Sequence, residues 1–189
     1  ASDKDRSATP QLPASTFKVP NTLIALETGV ASGPDFGLSW DPALAPRKPW
    51  WPDAWARDHQ LHSALKNSVV WYYQELSRRV GHERMQAWVD RFGYGNRDIS
   101  GGIDRFWLEG GLRISAEEQV AFLRRFHSGQ LGLSDRTTRL AKQMLVLEEA
   151  PDYRLSGKTG WVALGEGYPQ TGWLVGYLER EGKVHFFAT

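Results

Sequence analysis

Two serine–lysine pairs and one isolated lysine are the residues of this chain best equipped for chemistry. Ser15 and Lys18, in Ser15-Thr16-Phe17-Lys18, stand three apart, so on a helix the amine and the hydroxyl share a face. A serine hydroxyl is a weak nucleophile until a neighbouring base takes its proton, and an amine at that spacing can be the base. A helix N-terminus there adds free backbone amides, which can hold an oxyanion. Taken alone, the same spacing also describes a helix cap beside a solvated lysine. The chain holds a second copy, Ser63-Ala64-Leu65-Lys66, read as an ordinary exposed helix face. Lys158 lies in Ser156-Gly157-Lys158-Thr159-Gly160-Trp161, where small residues on a strand would let a ligand amide pair edge-on beside a positive charge. A turn leaving a strand would look the same. Ser68-Val69-Val70 and Tyr94-Gly95-Asn96 are weaker by themselves, since a helical serine commonly bonds a carbonyl one turn back.

These residues need elements to hold them. Residues 1–14 read as polar coil. From Ser15 the apolar positions Phe17, Val19, Leu23, Ile24 and Leu26 keep helical spacing up to a stop at Gly29, and Pro20 is tolerated near the start. Ser15 is therefore expected at or just before a helix N-terminus. Residues 30–60, rich in Gly, Pro, Asp and Trp, read as a long irregular connection stiffened by Trp50, Trp51 and Trp55. One helix is expected over Leu61–Val80 and another over His82–Phe92, followed by a glycine-rich loop to Gly111. Ser115 and Glu118 form a capping box for a helix ending near Ser128-Gly129, and Ser134 opens another that ends near Ala150. Tyr153–Thr159, Gly172–Glu179 and Lys183–Ala188 read as strands, the last two joined by a hairpin at Arg180-Glu181-Gly182. The expected class is α+β: a helical region followed by an antiparallel sheet, in a single domain over 1–189.

Composition excludes several functions. The 189 residues carry a net charge of +1 with no basic run longer than a pair, so no nucleic-acid partner is expected. No apolar run is long enough to span a bilayer, so no membrane partner is expected either. There is no cysteine, which excludes thiolate metal sites and cysteine nucleophiles. His59 and His62 are three apart but lack a visible third ligand, and are read as surface histidines with no metal. The N-terminus has no apolar core like that of a signal peptide.

The combination is more specific than its parts. Ser15-x-x-Lys18, Ser68-x-Val70, Tyr94-Gly95-Asn96 and Lys158-Thr159-Gly160 occur in that order, within Pro13-Ala14-Ser15-Thr16-Phe17-Lys18, Lys66-Asn67-Ser68-Val69-Val70-Trp71, Ile99-Ser100-Gly101-Gly102-Ile103-Asp104-Arg105-Phe106-Trp107-Leu108 and Gly172-Trp173-Leu174-Val175-Gly176. From about residue 13 to the end, this resembles the penicillin-recognising serine enzymes, and in detail the class D, oxacillinase-type β-lactamases. Val70 stands where class A enzymes and most penicillin-binding proteins have asparagine, and no class A Ω-loop glutamate motif is found.

The resemblance implies a β-lactamase/transpeptidase-like fold and hydrolysis of β-lactams, with no metal and no resident cofactor. It implies Ser15 as nucleophile and Lys18, carbamylated by CO2, as base. Trp107 would donate to that carbamate. Ser68 would relay a proton to the leaving nitrogen with help from Lys158. The Ser15 and Trp161 amides would form an oxyanion hole, Thr159 and Gly160 would line the substrate, and Val70 and Leu108 would form an apolar lid. Against the family pattern, the N-terminal strands and the C-terminal strand and helix, with its carboxylate-anchoring arginine, are expected to be missing from this stretch of chain. A periplasmic or secreted location is implied, and a homodimer is an open option. The alternatives are a β-lactam-sensing receptor ectodomain, acylated without turnover, and a penicillin-binding transpeptidase. Sensors generally carry a polar residue at the position of Val70.

Overall fold

In the computed structural model, which describes residues 3–162 and 171–189, the segment after Pro13 makes one 3-10 turn, Ala14–Phe17, and runs directly into helix α2, Lys18–Glu27. Helix α1 is the short Lys4–Ala8, capped by Asp3 through its carboxylate on the Arg6 amide, so the expected coil at 1–14 is corrected there. Every residue of α2 from Lys18 to Leu26 is buried. A helix apolar on most sides belongs in a core rather than on a surface, and α2 packs against the helices Val70–Val80, His82–Phe92 and Asp135–Met144.

The connection after α2 holds a two-residue ladder, β1 (Gly37–Leu38) with β2 (His59–Gln60), and one 3-10 turn, Asp53–Trp55. Between them Trp50, Trp51 and Trp55 pack edge to face with centroids 5.5–6.3 Å apart. The expected single helix over 61–80 is two helices, α3 (Leu61–Lys66) and α4 (Val70–Val80). The break is a Schellman motif. Val69 N–H donates to Ala64 O at 2.9 Å, Ser68 N–H donates to Leu65 O at 3.2 Å, and Ser68 takes the left-handed position at φ 57. Glycine usually fills that position, and its absence hid the break.

Helix α5 (His82–Phe92) follows as expected, and turns then lead to α6 (Ala116–His127). The reciprocal box is present at its start, with Ser115 Oγ accepting from Glu118 N and Glu118 Oε2 accepting from Ser115 N. Ser134 caps α7, Asp135–Met144. The stretch expected to extend that helix, Val146–Ala150, is strand β3 instead. It pairs antiparallel with β4 (Tyr153–Val162), which pairs with β5 (Thr171–Arg180), which pairs with β6 (Lys183–Ala188). Arg180 faces Lys183 across Glu181 and Gly182, both at positive φ, the backbone of a tight two-residue hairpin. Helix α6 lies on β5 and β6. The result is the expected α+β arrangement, with the 3-10 turn Ala14–Phe17 against β4 near Gly160.

Candidate active site

The 3-10 turn puts Ser15 and Lys18 side by side, with Lys18 Nζ 2.7 Å from Ser15 Oγ. Ser15 is half-buried while Lys18 is fully buried, so the hydroxyl is reachable and the amine is dry. Burial, reinforced by the nearby charge of Lys158, holds the Lys18 pKa well below its ordinary value. Removing water penalises the ammonium and favours the neutral amine, the form able to accept a proton. The Tyr73 ring centroid lies 5.4 Å from Lys18 Nζ.

Ser68 approaches from the α3–α4 break. Lys158 Nζ donates to Ser68 Oγ at 2.9 Å and to the Thr159 carbonyl at 2.9 Å. The break in the helix gives Ser68 the geometry for this contact. Lys158 is buried too, and loss of solvent brings its pKa down to about 8. It therefore keeps most of its positive charge at neutral pH, available to a developing anion, and loses it as pH rises through about 8.

Strand β4 comes close because Gly160 has no side chain. A Cβ there would lie 3.0 Å from Thr16 Cγ2 and 3.1 Å from the Pro13 carbonyl oxygen. Strand β3 pairs with β4 only as far as Ser156, so from Lys158 to Val162 that edge of β4 has no strand partner among the described residues. Unpaired edge amides can accept an extended ligand. Thr159 and Trp161 are exposed, whereas Val70 and Leu108 are half-buried. A groove of about 340 Å³ opens beside Lys158 and Thr159, with Leu65, Met144 and Leu147 in its wall.

Trp107 lies beneath the Ser15 turn. Its carbonyl accepts from the Ala14 amide at 3.0 Å, and its ring stacks on Phe17 with centroids 5.5 Å apart. Its indole N–H is buried with no hydrogen-bond partner among the described residues. A buried donor without an acceptor is costly unless something not yet present satisfies it.

Two features went unread in the sequence. Tyr73 follows Val70 by three residues on α4, a spacing that puts both on one helix face. Gln119 donates to Thr16 Oγ1 at 2.8 Å and accepts from the Tyr94 hydroxyl at 3.2 Å, bracing the turn from below. Nothing in the sequence marks Gln119. Tyr94 itself is buried against Phe17 and Phe122, and burial raises its phenol pKa, so it serves the core and not as a base. The second pair is split: Lys66 is exposed, and the Ser63 hydroxyl is bonded to Gln60 and His59. His59, expected at the surface, is buried at 3% exposure, with Nε2 2.7 Å from Ala54 O. His62 is exposed, and no group of potential metal ligands occurs among the described residues.

Residues 2–189 match the family model for the penicillin-binding protein transpeptidase domain. The chain is 44% identical over 187 residues to the β-lactamase OXA-10 of Pseudomonas aeruginosa, covering 98% of this chain and 68% of that protein. A class D β-lactamase structure from Nostoc superposes with a TM-score of 0.91 at 45% identity, covering 98% of this chain and 76% of that one. The regulatory protein BlaR1 of Bacillus licheniformis is 36% identical over 176 residues, 93% of this chain and 28% of that protein. The chain spans about two thirds of the length of the β-lactamases it matches. On that agreement, carried through the fold and the site strings alike, the chain belongs to the penicillin-binding protein transpeptidase family, among its class D serine β-lactamases.

Proposed function

We propose that this chain hydrolyses β-lactams through an acyl-enzyme on Ser15, with Lys18 as the base. The observation that carries the reading is the 2.7 Å contact between Ser15 Oγ and a fully buried Lys18 whose pKa is lowered. Ser15 attacks the lactam carbonyl as Lys18 takes its proton. The backbone amides of Ser15 and Trp161 receive the oxyanion, a contribution worth about 10²–10³ in rate per donor in acyl transfer generally. Ser68 relays to the leaving nitrogen the proton that Lys18 took from Ser15, and Lys158, 2.9 Å from its hydroxyl, keeps it oriented and polarised. Thr159 and Gly160 line the substrate along the free edge of β4, while Val70 and Leu108 limit the water that reaches the ester.

The residues present fit carbamylation of Lys18 by CO2. A neutral buried amine attacks CO2 where an ammonium does not, and the unpartnered Trp107 indole N–H is a donor suited to an anion. Held by Lys18 beside Trp107, the carbamate would supply an anionic oxygen base for activating the water that cleaves the acyl-enzyme. Exported localisation follows the family in this reading.

Val70 favours hydrolase over sensor, since a polar residue there is the sensors' usual choice. Steady turnover of nitrocefin by the protein supports this function. A single stoichiometric burst followed by a stable adduct would replace it with the sensor reading.

A further inference from the structure

The backbone at Ser68 is held from outside its own helix. The Schellman motif satisfies the Ala64 and Leu65 carbonyls, and Asn67 Nδ2 donates to Ser63 O at 2.9 Å. The Asn67 carbonyl, next in the chain to Ser68, takes its hydrogen bond from the Trp55 indole at 2.8 Å. Trp55 is itself held, because the Trp71 indole donates to the Trp55 carbonyl at 2.7 Å, and Trp71 stands three residues after Ser68. Trp55 is 7% exposed and packs edge to face on Trp50 and Trp51. His59 Nε2, 2.7 Å from Ala54 O, fixes the same loop one residue earlier.

From this relay we infer that Trp55 is a positioning residue for Ser68. A non-glycine residue in left-handed backbone persists only where its surroundings over-determine it. The indole bond to Asn67 O fixes the peptide plane that enters Ser68 and thereby the direction of its hydroxyl toward Lys158. Trp71 fixes Trp55 in turn, so the loop before α3 and the first turn of α4 grip the α3–α4 break from both sides. The role in turnover rests on the proposed β-lactam hydrolysis; the grip on the backbone does not.

Trp55→Phe keeps an aromatic ring in the tryptophan cluster and removes the N–H. Acylation by benzylpenicillin, measured in single turnover, is expected to slow about tenfold, the size of one hydrogen bond lost from a buried acceptor, while deacylation stays within about twofold. In a Ser68→Ala background the same substitution should slow acylation no further, because the group it positions is gone. Amide hydrogen exchange is expected to show about tenfold lower protection at Ser68 and Val69. Trp71→Phe, which leaves the Trp55 ring in place, should give the same pattern at about threefold and serves where Trp55→Phe does not fold. Equal slowing in both backgrounds would mean packing alone and overturns the assignment, as does unchanged acylation or unchanged protection at Ser68 and Val69. A wild-type protein that penicillin fails to acylate removes the hydrolase reading, and amide exchange then decides the backbone grip by itself.

Discussion

Ser15–Lys18 and Ser63–Lys66 share a spacing and differ in everything around it. At the first, the lysine is fully buried and its amine touches the serine hydroxyl. At the second, the lysine is in water and the serine hydroxyl is occupied by the Gln60 amide and the His59 ring. The i, i+3 geometry therefore permits the contact, and desolvation makes it chemical. Lys18 is buried because α2 is covered by three other helices and β4 closes against the 3-10 turn that leads into it. The second lies on a six-residue helix with an exposed side.

The sharpest way to break this comparison is Ser15→Ala. We expect it to abolish both penicillin hydrolysis and covalent labelling by a fluorescent penicillin, and labelling that survives would dismiss Ser15 as nucleophile. Next in size is Trp107→Ala. It strips the donor from beneath the Ser15 turn, so the acyl-enzyme should accumulate and more bicarbonate should be needed for half-maximal activity. If Trp107 is packing alone, the folded mutant keeps its bicarbonate titration and only loses stability, by about 3–5 kcal/mol.

A pH titration separates the two lysines of the site by sign. In the proposed mechanism Lys18 works neutral, and its pKa is lowered, so activity should fall as acid protonates it and should return with added bicarbonate. A ¹³C-bicarbonate NMR experiment on active enzyme should show the carbamate, and a silent spectrum would remove that base. Lys158 is proposed to work charged, so acylation should decline a few-fold as pH rises through about 8. Lys158→Arg, whose guanidinium stays charged, should flatten that decline. The smallest effect belongs to the second pair. Ser63→Ala should leave turnover within about twofold and reduce stability by about 1 kcal/mol, the worth of an ordinary hydrogen bond. A large loss of turnover there would end the contrast between the pairs.

Much of this site was legible because its chemistry is carried by residue types that few other roles require in that order. Ser15, Lys18, Ser68 and Lys158 converge as their motifs suggested. The capping box at Ser115 and the hairpin at Arg180–Lys183 were readable because both are local hydrogen-bond patterns. What escaped depends on partners distant in sequence. Val146–Ala150, with its Leu, Glu and Ala, has the composition of a helix end and is a strand because Tyr153–Ser156 lies opposite. His59 looks like a surface histidine until Ala54 O and Ser63 Oγ are found on its two ring nitrogens. The break at Ser68 carries neither glycine nor proline, so periodicity ran through it.

Ala14 and Ser68 both hold left-handed backbone, at φ 46 and φ 57, one beside each functional hydroxyl turn. Side chains in that region cost roughly 1–2 kcal/mol each, and glycine is free of the penalty. A search for heat-tolerant variants would be drawn to glycine at these two positions. At 68 the gain would delete the proposed proton relay, and at 14 it would loosen the turn that presents Ser15. Durability and turnover thus compete for the same two residues, and a hardened form of this protein has to be sought in its surface loops and helix faces.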